Sequence, residues 1–238
     1  MTRLLGLEFA DLDVAQAASQ LAARPANAPF GYIVTPNADH LVRLHRRPEL
    51  QTLYDGAMLR LLDSRVVQIL CRVFRLDAPV IATGSDLTAT LLMTQVPPDE
   101  RVTIIGLRAS CLPALIARCG IAAPAHFDPP MGFEKNPASL RQAVEFVIAH
   151  PARFVFLAVG SPRQEQLAAA IQATGRATGT GLCIGAGLDF IAGTSSRAPG
   201  WMRRCGLEWL HRLAGDPRRL ARRYLLDCPA VVGMLWRE

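Results

Sequence analysis

Short apolar runs alternate with longer amphipathic stretches as far as Gly193, and this alternation limits the fold more than any other feature of the chain. Runs of strand length lie at 32–35, 57–62, 102–107, 125–127, 154–159 and 182–185. Helical patterns lie at 13–23, 38–46, 50–56, 65–74, 86–94, 111–119, 137–150 and 162–173. The strand candidates are continuous hydrophobic runs, as expected of strands covered on both faces. Strand and helix in this alternation predict an α/β fold, a mainly parallel Rossmann-like sheet with helices on both faces. Half of the 238 residues are apolar and 19% are charged, enough for a large core.

After Gly193 the pattern changes. Residues 196–238 hold no strand candidate and read as short amphipathic helices broken by Pro199, Gly215-Asp216-Pro217 and Pro229. The sequence therefore predicts an α/β core over 1–195 and a helical appendage over 196–238. Charge follows the same division. The net charge is +6, and from Arg197 onward nine arginines face only Glu208, Asp216, Asp227 and Glu238. A basic excess confined to one end points to an anionic partner: nucleic acid, phosphate or anionic lipid. A solvated helix face is the plainer reading. Aromatic platforms and a basic recognition helix are missing, which argues against nucleic acid. The six cysteines form no C-x-x-C pair and read as reduced, buried small hydrophobes. MTRLLGLEFADLD shows neither an apolar signal core nor a small-residue cleavage site, and no apolar run reaches about eighteen residues. The expected location is cytoplasmic, with any membrane contact peripheral.

Open α/β sheets bind ligands beyond the carboxyl ends of their strands. Four polar clusters stand at strand ends: Thr35-Pro36-Asn37, Asp63-Ser64-Arg65, Gly160-Ser161-Pro162-Arg163-Gln164-Glu165 and Gly185-Ala186-Gly187-Leu188-Asp189. Each alone could be turn and capping chemistry; four on one edge suggest a site. Asp63 is the candidate acid–base group, since a partly desolvated carboxylate at a sheet edge can take a proton from a hydroxyl. The plain alternative is an N-cap for the helix that follows. Gly160-Ser161-Pro162 opening a helix could present N–H groups to a phosphate, with Gln164 and Glu165 facing the same cleft. Asp11-Leu12-Asp13 matches a metal-binding Asp-x-Asp only in letters, because it precedes a helix near the start of the chain. The five histidines lack ligand spacing, and no Walker A or G-x-S-x-G sequence occurs.

Taken together, the chain resembles the WecG/TagA/CpsF family of glycosyltransferases from Thr35 to Tyr224. The pieces are Thr35-Pro36-Asn37, Thr83-Gly84-x-Asp86-Leu87, Val159 to Glu165, and Gly185-x-Gly187-x-Asp189-Phe190-x-Ala192-Gly193. They continue with Arg197-Ala198-Pro199-x-Trp201, Gly206 to Leu213, and Pro217-Arg218-Arg219-x-x-Arg222-Arg223. The resemblance implies inverting transfer, without a metal or other cofactor, from a UDP-sugar donor to a polyprenyl-diphosphate-linked sugar. The donor would be of N-acetylmannosamine or glucose type, and the setting cell-surface polysaccharide synthesis. It makes Asp63 the general base. Thr35, Asn37, Asp86, Gly160, Gln164, Glu165, Gly187 and Asp189 would shape the substrate sites, and Arg212, Arg219 and Arg222 would clamp the diphosphate. Trp201, Leu207, Trp209, Leu210 and Leu213 among arginines suit a lipid headgroup region, on the inner face of the plasma membrane. Self-association is left open. Two positions depart from the family pattern. Asp63-Ser64-Arg65-Val66 stands where Asp-Gly-x-Gly is usual, and Ile81 where an arginine is usual, with Arg65 as its candidate replacement. The rival expectation is a degenerate, non-catalytic relative that binds a nucleotide or a partner, signalled by Arg65 filling the cleft beside Asp63.

Overall fold

The structure, a computed structural model, describes residues 1–194, 198–205, 207–215, 217 and 229–238, with only the main chain at 203, 204, 208 and 212. The expected boundary near residue 195 lies outside the described residues. A hairpin comes first, β1 (Thr2–Leu4) and β2 (Leu7–Phe9), followed by α1 (Val14–Ala22). Then come β3 (Gly31–Val34), α2 (Ala38–Arg46), α3 (Gln51–Asp55), β4 (Leu59–Arg60), α4 (Arg65–Val73) and α5 (Gly84–Thr90). The second half holds β5 (Thr103–Gly106), α6 (Leu112–Cys119), β6 (Ala125–Phe127), α7 (Pro137–Ala149), β7 (Phe154–Ala158), α8 (Arg163–Ala173), β8 (Thr180–Cys183) and α9 (Gly187–Ala192). After α9 come α10 (Gly200–Arg204), α11 (Glu208–Gly215) and a C-terminal helix, Ala230–Leu235.

Six strands form one sheet in the order β4-β3-β8-β7-β5-β6, and every pairing in it is parallel. Alternate side chains feed two cores. Tyr32, Val34, Ile105, Val155, Leu157 and Cys183 pack under α2, α4, α7 and α8; Ile33, Ile104, Phe154, Phe156 and Leu182 pack under α1, α5, α6 and α9. The α/β expectation therefore holds, and the period of two along each buried strand explains how an all-apolar run serves both faces. The chain leaves β3 toward the first face, through α2, and leaves β8 toward the second, through α9. Adjacent parallel strands whose connections diverge in this way open a crevice at their carboxyl ends.

Three departures from the sequence reading have local causes. The hairpin went unread because Leu5 takes the left-handed turn position beside Gly6, at φ 49° and 78°, where Asn or Gly is the usual signal. It lies beside the outer edge of β4, where Ala10 N–H bonds Arg60 O at 2.9 Å. β8 starts two residues earlier than expected, at Thr180. Its Gly181 is tightly enclosed, for a Cβ there would lie 2.5 Å from the Phe30 ring. The Leu59–Arg60 strand is shorter than the apolar run that suggested it, yet Leu62 continues as a parallel bridge to Ile81.

The C-terminal helix is part of the first core. Val231 and Leu235 are buried in the same cluster as α2 and α4 residues, and Glu238 Oε1 accepts from Leu5 N–H at 3.0 Å. Among the described residues, no helix is long and apolar enough to cross a membrane.

Candidate active site

All four predicted clusters arrive at the carboxyl edge of the sheet, since they follow β3, β4, β7 and β8 in a parallel array. Contacts there join the first two directly and link the first to β8. Asp63 N–H bonds Pro36 O at 2.9 Å, which ties the end of the β4 run to the Thr35-Pro36-Asn37 turn. Asp63 Oδ2 accepts from Gly84 N–H at 3.2 Å, the first residue of α5. Thr35 Oγ1 donates to Cys183 O at 3.3 Å across the β3–β8 crevice. A helix N-terminus presents N–H groups and a positive end to an anion, so α5 holds the Asp63 carboxylate in place. Asp63 itself does not cap α4; Ser64 does, through Val67 N–H to Ser64 Oγ at 3.3 Å.

Glycine makes this approach close. A Cβ on Gly84 would stand 2.8 Å from Thr35 Oγ1 and 3.5 Å from Asp63 Oδ2. A Cβ on Gly187 would stand 3.0 Å from Thr88 Oγ1, and Thr88 in turn donates to Gly84 O at 2.6 Å. The starts of α5 and α9 are thereby packed against each other on the second face of the crevice. Sequence reading missed Gly84 and Thr88 as site residues; the available signal was a glycine directly after the Thr83 cap.

Other predicted residues have local work in view. Asn37 caps α2 by accepting from Asp39 and His40 N–H groups at 3.1 and 3.4 Å. Asp86 accepts from Thr83 Oγ1 at 2.7 Å while its N–H bonds back to Thr83 Oγ1 at 3.2 Å. Asp189 Oδ1 accepts from Thr194 Oγ1 at 3.3 Å. Gly160 sits at φ 79°, but the phosphate cradle expected after it is partly spent. Gln164 N–H bonds Gly160 O and Gln166 N–H bonds Pro162 O, both at 3.0 Å. Arg65 is exposed, with Nη1 donating to Gln68 Oε1 at 3.2 Å. Ile81 packs its side chain into the first core, which suits an apolar residue at that place.

Gln164 and Glu165 correct the sequence reading. Both were expected to face the cleft, but they are 2% and 1% exposed. Gln164 Oε1 accepts from Gly185 N–H, and its Nε2 donates to Glu165 Oε1, both at 3.0 Å. Burial pushes the Glu165 carboxyl above the usual range, while Gln164, Ser161 and Arg43 draw it the other way. Tyr54 and Cys183, close to the same carboxyl, are raised by burial too. Arg43 reaches from α2 to donate to Ser161 Oγ at 2.8 Å and pairs with Asp39.

The Asp-x-Asp near the start does structural work. Asp11 accepts from Thr2 Oγ1 and pairs with the terminal amine, both at 2.7 Å; Asp13 caps α1 in a capping box with Gln16. Among the described residues no group of three or more His, Cys, Asp and Glu side chains is placed to hold a metal. Of the three expected diphosphate ligands, Arg219, Arg222 and the Arg212 side chain lie outside the described residues. Trp201 and Leu210, on α10 and α11, are exposed.

An acid at a switch-point crevice, held by a helix N-terminus and walled by glycines, is a layout suited to ligand binding and proton transfer. A model of the glycosyl transferase WecG/TagA/CpsF family matches residues 2–238, essentially the whole chain. The chain belongs to this family of glycosyltransferases, which act in cell-surface polysaccharide synthesis.

Proposed function

We propose that the chain transfers a sugar, of N-acetylmannosamine or glucose type, from a UDP-sugar to a polyprenyl-diphosphate-linked sugar, with inversion and without a metal. The observation that carries this reading is the Asp63 carboxylate, fixed by Gly84 N–H beside Thr35 at the β3–β8 crevice. A base must be held within hydrogen-bond reach of the hydroxyl it deprotonates. Asp63 takes the proton of the acceptor hydroxyl as that oxygen attacks the anomeric carbon, and UDP leaves from the opposite side. Thr35, Asn37, Asp86, Gly160, Gly187 and Asp189 line or shape the donor and acceptor sites. Arg65, Arg212, Arg219 and Arg222 hold diphosphate oxygens, for which the planar guanidinium fork is suited.

The acceptor lies in a membrane, and the appendage brings the protein to it at the inner face of the plasma membrane. Exposed Trp201 and Leu210 support this, since an aromatic and an aliphatic side chain among arginines suit the headgroup region. The exposed position of Arg65 favours catalysis over a degenerate binding module. The test is a panel of UDP-sugars with a short-chain lipid-diphosphate acceptor, comparing the wild type with Asp63→Asn. Transfer by the wild type alone, with UDP binding kept in both, supports the reading. UDP binding without transfer by either protein supports the binding module.

A further inference from the structure

Glu165 poses a problem that its burial sharpens. A carboxylate sealed from water is costly unless its lone pairs are used. One oxygen is used by Gln164. The other, Oε2, is buried without a well-aligned hydrogen bond, although Ser161 and Arg43 lie within electrostatic reach. For packing alone, a leucine of similar volume would serve at this place.

The neighbour explains the choice. A glutamine amide has two ends of nearly equal shape and opposite hydrogen-bonding sense. Gly185 N–H needs the oxygen end of Gln164. The Glu165 Oε1 that faces the amide on its far side accepts from the NH2 end, which leaves the oxygen end to Gly185. Glu165 thus dictates which way Gln164 points. Beyond Gln164 the connection continues: Gly185 starts the turn that leads to Gly187, Gly187 packs on Thr88, and Thr88 bonds Gly84 O. Gly84 N–H holds Asp63.

We infer that Glu165 is a positioning residue: by orienting the Gln164 amide it fixes the Gly185–Gly187 turn, and through Thr88 and Gly84 the seat of Asp63, without touching substrate. Its effect on turnover rests on the proposed role of Asp63; its effect on the turn does not. Two readouts keep these apart, amide hydrogen exchange in the free protein and sugar-transfer kinetics. Glu165→Leu removes the acceptor, and also the cost of a buried charge. Its Gly185 amide should exchange about tenfold faster, the equivalent of one net hydrogen bond, while the Leu182 and Cys183 amides of β8 stay protected. Its kcat should fall about tenfold, as expected from slight misplacement of reacting groups, with donor KM nearly unchanged. Glu165→Gln, which keeps an acceptor oxygen, should lie close to the wild type in both. Adding Glu165→Leu to Gln164→Leu should bring no further loss, because both act through one connection.

Unchanged Gly185 exchange in Glu165→Leu overturns the inference. So does a rise in donor KM at constant kcat, the mark of direct binding. Should Glu165→Leu fail to fold, Gln164→Leu carries the exchange test, and unchanged Gly185 protection there is equally fatal. If the wild type transfers no sugar, the Asp63 reading fails while exchange still decides the role of Glu165.

Discussion

Replacing Gly84 by alanine tests the seat of Asp63 with the addition of a single methyl group. The new Cβ would stand 2.8 Å from Thr35 Oγ1, inside the distance real carbon atoms tolerate. Thr35 is buried and bonded to Cys183 O, so it cannot swing into solvent. Either the Thr35 side chain or the start of α5 must yield by several tenths of an ångström. Overpacking of this kind costs about 1–3 kcal/mol. A small part of that is recovered, because alanine is about 1 kcal/mol better than glycine inside a helix. The expected loss is therefore about 0–2 kcal/mol, read by urea unfolding. Turnover should fall further than stability implies, by about 10-fold to 100-fold, because movement of α5 carries the N–H that holds Asp63. Truncating the partner isolates the cause: in a Thr35→Ala background the clash disappears, and Gly84→Ala should cost distinctly less. Additive losses in that cycle, or wild-type stability and turnover in Gly84→Ala alone, would refute the packing argument.

Asp63→Asn should lower kcat by about 10² or more with UDP affinity retained, the usual scale for a lost general base; wild-type turnover removes Asp63 from that role. Transfer should persist in excess EDTA, since Asp11 and Asp13 are engaged elsewhere; complete loss restored by magnesium or manganese would reverse this. Glu165 binds its proton more tightly in the folded protein than at the ordinary value of 4.5. Its contribution to stability is thus full below 4.5 and lost as pH rises through the folded value. Glu165→Gln does not titrate, so its melting temperature relative to wild type should climb with pH above 4.5, and a constant difference refutes the shift. Leu235→Ala should destabilise the protein by about 2–5 kcal/mol, because Leu235 is buried in the first core; a loss under half of that in urea unfolding would mean that the C-terminal helix is only loosely attached.

Much of the architecture was legible because buried parallel strands have a distinctive spelling. Phe154–Ala158 and Ala125–Phe127 stand almost where their apolar runs set them. Thr180–Cys183 was partly hidden, since its Gly181 is there for Phe30 and says nothing of strand propensity. The site was legible as far as main-chain direction decides it. A parallel sheet sends every strand-end cluster to one edge, so Thr35, Asp63, Gly160 and Gly187 could be grouped from the sequence alone. Side-chain aim was not legible. Gln164 and Glu165 begin a helix beside the cleft, yet the rotation of α8 turns them inward. That rotation depends on the packing of Leu167, Ala168 and Ile171 under the sheet, a property of the whole core. Ser64 shows the reverse case. Read as a departure from a glycine, it has a simple local use as the cap of α4.

The docking of Val231 and Leu235 changes what kind of object the basic segment is. Its near end leaves the core at Gly193, where Arg118 closes over α9 by donating to Ile191 O at 2.8 Å. Its far end returns to the core beside α2 and α4. In the chain, the arginines of the segment fall between these two attachments to the core. Chain closure of this kind keeps a group at an effective concentration in the millimolar range near its target. In the diphosphate-holding role proposed for Arg219 and Arg222, a phosphate once released would be met again many times before the product diffuses away. For the membrane contact proposed above, the same closure would limit how far the sheet edge could stand from the lipid.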